Sequence, residues 1–441
     1  MNRPQSSNPD EQFFTLLKYL AFGVSKTRVP QMMAKSIFRI IEASSTSDNI
    51  ERYMFLTPPQ MTLLAQHNIN KVLLVGGNGV GKTILSVEQA KKLSMQNEEV
   101  LFCVEEMSGN EKVKSLLRVK LEGLFEDFKK KYPMSTKVVV KKIISVKDLQ
   151  FVNLSQTHLF IDEGSEELIL ESKKLNALSI WLALGTFNNV PEKMTDYPTM
   201  IEELKQKYPD WFMPLFNLTL RPTKTIAQTY TQEEKLAKKG TEYESINYVN
   251  RVTDVPVHAQ IGPKPQYNPP GDTFTERLKT GLCDTKFLPY PTDNIVIAFY
   301  SGPGNFTQSE IDLALQTCKE KYQKLYQLAT IAPEEKKNTW IRLCITVSTL
   351  LNYRRKSKPP LIWLSDRNYE ALKNNINCDE KDIKNWLRGE LTCDVISDYE
   401  LIQGSEFSTV VYITNNPKKD ETDLFKNILT RSMVQYLEIQ G

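Results

Sequence analysis

Only three of the 441 residues are histidine and six are cysteine, and none of these cluster. Cys103, Cys283, Cys318, Cys344, Cys378 and Cys393 contain no CxxC pair, and His67, His158 and His258 stand apart. This scatter excludes the ligand spacing of a zinc site and the paired cysteines of a disulfide framework. It fits reduced thiols in an intracellular compartment. The chain also lacks a run of the roughly 20 apolar residues that a membrane span needs, so no membrane partner is expected. The apolar stretch at residues 13–24 is interrupted by Lys18 and preceded by Asp10 and Glu11. It reads as an amphipathic helix rather than a secretory signal. Charge of one sign is missing too: 56 basic residues against 53 acidic ones leave +3. A nucleic-acid surface would have to come from local clustering. No internal repeat of roughly 20–50 residues is present.

What is present is an ordinary globular composition, 40% hydrophobic and 25% charged, in a chain long enough for two or three domains. Residues 1–50 read as a short helical segment broken at Pro30. From residue 51 onward short apolar runs alternate with helical stretches. Lys71-Val72-Leu73-Leu74-Val75 reads as a buried strand, as do residues 100–104, 158–161 and 180–184, and residues 137–145 are rich in β-formers. Residues 83–95 and 116–132 read as helices. Such alternation predicts an α/β fold with parallel sheets flanked by helices. Prolines, tyrosines and polar residues crowd 230–292, which reads as an irregular excursion. The α/β texture then resumes, with strands at 294–299, 361–364 and 409–413 and helices at 310–328 and 423–429. The expected division is 1–50, 51–215 and 216–441.

The strongest motif follows the first strand. Gly76-Gly77-Asn78-Gly79-Val80-Gly81-Lys82-Thr83 matches GxxxxGK[ST] in full. Glycines let the backbone wrap a phosphate, and main-chain N–H groups with the helix N-terminus supply positive charge. Lys82 would reach the β- and γ-phosphates of ATP, and Thr83 would ligate Mg²⁺. The partner carboxylates should end a buried strand, and His158-Leu159-Phe160-Ile161-Asp162-Glu163 supplies them. Asp162 would hold Mg²⁺ through water, and Glu163 would polarise the attacking water. Glu105-Glu106 also follow a strand and form the lower-ranked alternative.

The order of motifs resembles the superfamily 1, UvrD-like helicases over residues 56–437. Leu56-Thr57-Pro58-Pro59-Gln60 resembles their Q motif, which implies that Gln60 reads adenine. Asp162-Glu163 resembles the start of the DExQ box, and residues 180–186 resemble motif III. Leu220-Arg221-Pro222 is similar to motif IV. Gln403-Gly404-Ser405-Glu406-Phe407 and the strand after it are similar to motif V. Leu429-Thr430-Arg431-Ser432 resembles motif VI. The resemblance implies two RecA-like domains, with Arg221 and Arg431 on the γ-phosphate and Glu406 on the ribose. It also implies ATP hydrolysis coupled to single-stranded nucleic acid.

Two departures stand out. The DExQ glutamine is missing, since Gly164 and Ser165 follow Glu163, and the motif III acid and glutamine are replaced by Thr186-Phe187-Asn188-Asn189. Hydrolysis is compatible with these losses, whereas coupling to movement along nucleic acid is not assured by them. Phosphate-tracking candidates are Lys129-Lys130-Lys131 with Lys137, Lys141 and Lys142, and Tyr353-Arg354-Arg355-Lys356 with Lys358. Each has a plain alternative as a solvated charged face. Tyr248, Tyr267 and Phe274 are candidates for stacking on bases, with loop-pinning as the alternative. Two competing functions are a signalling P-loop switch and a scaffold that binds ATP without turnover.

Overall fold

The computed structural model describes residues 58–66, 69–77, 79–106, 114–133, 137–143, 146–149, 152–172, 174–185, 197–216, 225–226, 263–289, 294–299, 304–354, 358–364, 378–414 and 431–440. The expected helices at 1–50 and 423–429 lie outside these residues, as do Asn78, Arg221, Tyr248 and residues 186–189.

The first unit runs through helix α1 (Pro58–Ala65), strand β1 (Lys71–Gly76), α2 (Lys82–Met95), β2 (Glu99–Glu105), α3 (Leu116–Lys131) and β3 (Val138–Ile143). It continues with β4 (Thr157–Gly164), α4 (Glu166–Ser172), β5 (Ser179–Leu184), α5 (Tyr197–Lys207) and β6 (Leu215–Phe216). The second unit opens with β7 (Gln266–Tyr267), α6 (Phe274–Cys283), β8 (Val296–Phe299), α7 (Gln308–Lys321), α8 (Gln323–Ile331) and α9 (Glu334–Thr349). It closes with β9 (Leu361–Trp363), α10 (Glu380–Leu387), β10 (Val395–Asp398), β11 (Phe407–Thr414) and β12 (Ser432–Gln440).

Two six-stranded sheets result, ordered β3-β2-β4-β5-β1-β6 and β7-β12-β11-β8-β10-β9. Every strand pair in them is parallel. Each is a parallel sheet covered by helices on both faces, the α/β layering expected of the chain. Double coverage explains the continuous apolar runs, because a strand buried on both sides has no polar face. In the first sheet Leu73, Leu159 and Leu182 face one core with Leu168, Ile169 and Leu204 of α4 and α5. Leu74, Phe102 and Phe160 face the other with Leu85 of α2 and Leu121 of α3. In the second sheet Ile297, Ile396 and Val411 pack with α6 to α9, while Ala298, Val395 and Tyr412 pack with α10.

Helix α3 belongs to both units. Leu117, Leu121 and Leu124 lie in the first unit's core, whereas Leu116 and Val119 are buried among residues of the second. Polar contacts seal the same seam. Trp363 Nε1 donates to the Lys114 carbonyl at 2.9 Å, and the Lys114 ammonium pairs with Glu122 at 2.5 Å and with Glu380 at 2.9 Å. Lys384 meets Glu126 at 2.6 Å and Arg388 meets Asp127 at 2.8 Å. Each such pair contributes little singly, so the apolar plug carries most of the adhesion and the charges fix its register.

Several expectations need correction. Strand β6 pairs with β1, so Phe216 belongs to the first sheet and not to the second unit. The excursion at 230–292 is not irregular throughout: β7 adds to the second sheet beside β12, and α6 starts at a capping box between Thr273 and Glu276. That Thr-x-x-Glu pattern is a helix signal which the surrounding prolines outweighed. The helix expected at 310–328 breaks at Tyr322, which is buried and donates its hydroxyl to the Pro360 carbonyl.

Candidate functional site

Parallel sheets of this kind gather ligand-binding groups beyond the carboxyl ends of their strands. The glycine loop leaves β1 there, and Asp162 and Glu163 end β4, two strands away across β5. The second unit contributes amino ends instead: Gly404 and Glu406 precede β11, and Arg431 precedes β12. A backbone bond from Phe407 N–H to the Arg431 carbonyl, 2.8 Å, ties these two approaches together.

The glycine loop is braced by its own backbone and by one side chain from α1. Gly81 caps α2 in the left-handed region, at φ 89°, where a side chain would be strained and would crowd Gln60. The Lys82 ammonium donates to the carbonyls of Gly76 at 2.6 Å and Gly77 at 3.1 Å. Burial pulls the Lys82 pKa down, while Glu163 and Asp162 pull it the other way. Gln60 is 3% exposed and its Nε2 donates to the Val80 carbonyl at 2.7 Å, so it braces the loop from behind.

The two carboxylates are presented by an irregularity in the sheet. The β4–β5 register shifts between Ile161 and Gly164, and Glu163 adopts φ 54°, the left-handed region. A non-glycine residue held there costs about 1–2 kcal/mol, a strain that accumulates where a side chain must be aimed. Gly185 makes the turn possible, because a Cβ at that position would lie 2.8 Å from the Glu163 carbonyl. Asp162 is 1% exposed. It accepts from the Glu163 N–H at 3.1 Å and bonds the Thr83 side chain, yet its Oδ2 has no hydrogen-bond partner. A buried carboxylate oxygen with nothing to accept from, beside a hydroxyl, fits a hydrated Mg²⁺ held by Thr83 and Asp162.

Glu105 and Glu106, the alternative acids, are occupied structurally. Glu105 Oε2 accepts from the Ser165 N–H at 2.6 Å, which pins the chain two residues after Glu163. Glu106 accepts from the Ser115 N–H at 3.0 Å and pairs with Arg118 at 3.4 Å.

Glu163, the glycine loop and the second unit line one cleft of about 70 Å³, partly open to solvent. Gly77, Gly79, Val80, Gly81, Lys82, Thr83, Glu163, Glu406 and Arg431 all line it. Gln60, Gly76 and Asp162 do not, and Asn78 and Arg221 lie outside the described residues. Arg431 is 3% exposed, and Nη1 lies 3.9 Å from Glu163 Oε1. Its Nε and Nη2 are buried without a hydrogen-bond partner. A guanidinium in that state costs several kcal/mol unless an anion completes it.

The nucleic-acid candidates fare differently. Phe274 is fully buried, 0% exposed, in the core of the second unit and cannot stack on a base. Arg354 is spent on Asp394, at 2.7 and 3.0 Å, so it does not track phosphates. Lys129, Lys130 and Lys131 end α3 on the exposed side, where cations also suit the helix terminus. Tyr267 is 40% exposed beside Tyr436. Arg355 and Lys356 lie outside the described residues. Among those residues no helix is long and apolar enough to cross a membrane.

Burial raises the carboxyls of Asp162 and Glu105 to about 7. Folded values above the unfolded ones mean that stability from these groups is complete below about pH 4 and is lost as pH rises toward 7. Glu105→Gln keeps an oxygen for the Ser165 N–H and removes the buried charge. By calorimetry it is expected to be more stable than the native chain at pH 8, by on the order of 2–3 kcal/mol after allowing for partial exposure. The gain should shrink as pH falls and vanish below about pH 4. Equal thermal midpoints at pH 8 would mean that the Glu105 charge is well solvated.

No protein-family model and no curated protein matches the chain. Among solved structures, one of a Saccharomyces cerevisiae Dbp5 variant bound to RNA and ADP with beryllium fluoride is similar at a TM-score of 0.44. The two are 8% identical, and the match covers 90% of this chain and 86% of the other.

Proposed function

We propose that this chain binds Mg·ATP in the cleft between its two units and hydrolyses it, with turnover stimulated by single-stranded nucleic acid. The observation that carries the reading is Arg431, a buried guanidinium with two unpartnered N–H groups in the wall facing Lys82. Lys82 and Mg²⁺ would neutralise the phosphates from the first unit, and Arg431 would meet the γ-phosphate from the second. Glu163 would take the proton of the attacking water, and Glu406 would hold the ribose. Arg221 is proposed as a second γ-phosphate contact on motif order alone. That order, from Gln60 to Arg431, supports the finer assignment to the superfamily 1, UvrD-like group.

A second reading is favoured by the seam along α3. Leu116 and Val119 are buried among residues of the second unit, so apolar packing joins the two units. If the seam stays shut, ATP is a structural ligand and the chain is a scaffold. The test is ATP turnover measured with and without single-stranded DNA and RNA, with Lys82→Ala as the control for contaminating activity. Stimulation by either polymer that vanishes in the control supports the first reading. Tight Mg·ATP binding with no turnover under any of these conditions sinks it and leaves the scaffold.

A further inference from the structure

We propose that Glu105, on the strand beside β4, is a positioning residue for Glu163: it fixes Ser165 and so holds the turn that aims the Glu163 carboxylate at the cleft. The inference rests on the hydrolytic reading above and names a residue on which the proposed base depends.

Three observations lead there. First, the turn needs an external hold. From Ile161 to Gly164 strand β4 advances three residues, while β5 advances two, from Leu182 to Leu184, so β4 carries one extra residue. Such a bulge re-aims a side chain and locally disrupts the ladder. Glu163 stands in it at φ 54°, a conformation that persists only where the surroundings over-determine it. The Gly185 N–H holds one side of the bulge by donating to the Gly164 carbonyl at 3.0 Å. Strand β4 ends at Gly164 and α4 begins at Glu166, so Ser165 lies between the two elements.

Second, Glu105 holds the other side. Its Oε2 accepts from the Ser165 N–H at 2.6 Å, and the Ser165 hydroxyl donates to the same carboxylate. Ser165 is buried, so little water competes for these donors. Hydrogen bonds to a carboxylate are short and strong. The carboxylate is itself carried on a fixed backbone. Glu105 pairs in register with Ile143 of β3, and the Glu106 N–H donates to the Ile143 carbonyl at 3.1 Å. Glu106 is tied in turn to Ser115 and Arg118.

Third, the anchored residue and the aimed one are neighbours. Gly164 alone separates Ser165 from Glu163. Glu105 and Glu163 also line one small space of about 10 Å³, together with Gln403 of the second unit. Glu105 does not line the cleft that Lys82, Glu163 and Arg431 share. Its loss should therefore move the Glu163 carboxylate and leave the phosphate contacts in place.

The test measures steady-state Mg·ATP hydrolysis by the full chain, with thermal midpoints taken alongside. Glu105→Leu removes the acceptor. Glu105→Asp keeps the charge and shortens the reach by one methylene. Glu105→Gln keeps the reach and drops the charge. Glu105→Leu and Glu105→Asp are expected to lower kcat by about tenfold to a hundredfold, the range for a misplacement of up to about 1 Å. KM for Mg·ATP should stay within about threefold of native, and Glu105→Gln should restore kcat to within about threefold. The opposite pattern, Glu105→Asp active and Glu105→Gln impaired, means that the charge of Glu105 acts on Glu163 rather than its bond to Ser165, and overturns the inference. Native kcat in Glu105→Leu overturns it, as do losses that track the thermal midpoints or a rise in KM at constant kcat. Should Glu105→Leu or Glu105→Asp fail to fold, the other is compared with Glu105→Gln. Native protein that binds Mg·ATP without turning it over fails the hydrolytic reading itself, and the inference falls with it.

Discussion

Arg431→Ala is expected to lower kcat for ATP hydrolysis by about a thousandfold or more, the range for an arginine supplied to a γ-phosphate. Affinity for Mg·ATP should fall far less, because Lys82 and the loop bind the ground state from the first unit. The physical case is the unfinished hydrogen bonding of this side chain. Its Nε and Nη2 have no partner among the described residues, and the nearest carboxylate, Glu163, is 3.9 Å away. Burying a guanidinium in that way is unfavourable in the free protein. It becomes favourable only when an anion enters, and most so when charge accumulates on the transferring phosphoryl group. The same argument gives an opposite effect on stability. Without nucleotide, Arg431→Met should melt at or above the native temperature, because it removes a buried guanidinium whose ion pair to Glu163 is long, at 3.9 Å. Native protein should gain more stability from Mg·ATP than the variant does. Turnover within about tenfold of native in Arg431→Ala would sink the role proposed for it.

The glycine loop and the two acids that face it were legible as a cluster because each is written in contiguous sequence. A strand, a glycine turn, a lysine and a helix are contiguous, and backbone geometry alone brings the turn to the N-terminus of the helix. Asp162 and Glu163 were legible for a related reason, as acids at the end of the apolar strand β4. Phe274 and Arg354 were not. Both belong to types that serve on surfaces as readily as in cores. Only tertiary packing decides between stacking on a base and filling the second unit's interior, or between a phosphate and Asp394. The capping box that starts α6 was present in the sequence but sat among prolines. The double allegiance of α3 was written as two leucine-rich faces, and nothing local says that one of them belongs to another domain.

The missing glutamines raise the question of what connects Glu163 to the second unit. After Glu163 the chain is held by its backbone, through Ser165 N–H on Glu105. Across the cleft, beside the long ion pair from Glu163 to Arg431, the contact is close packing. Gly404 lies directly on Glu163 and Leu117. Distance between the units is therefore read at a van der Waals contact, and Arg431 follows the same body. A contact of this kind is stiff, because packed interiors resist small displacements.

That stiffness gives Gly404→Ala a large expected effect on turnover for a single methyl group. The built Cβ would lie 2.4 Å from Leu117 Cδ2 and 3.0 Å from Glu163 Cγ. Leu117 is buried in the first unit's core and cannot swing away freely. Gly404 also sits at φ 70°, where alanine costs about 1 kcal/mol in strain. The second unit must then shift by a fraction of an ångström to an ångström, carrying Arg431 away from the phosphate. A misplacement of about 1 Å costs about a hundredfold in rate. We therefore expect kcat to fall by about a hundredfold while the protein remains folded, since overpacking of this size costs only about 1–3 kcal/mol. Gly389→Ala supplies the control. Gly389 is left-handed as well, at φ 74°, and follows the end of α10. It should share the strain and the loss of thermal stability but keep native turnover. If both variants lose activity in proportion to their stability, the close contact at Gly404 has no part in aligning the cleft. If only Gly404→Ala does, the second unit acts on Glu163 through that packing rather than through a long polar side chain from Gly164 or Ser165.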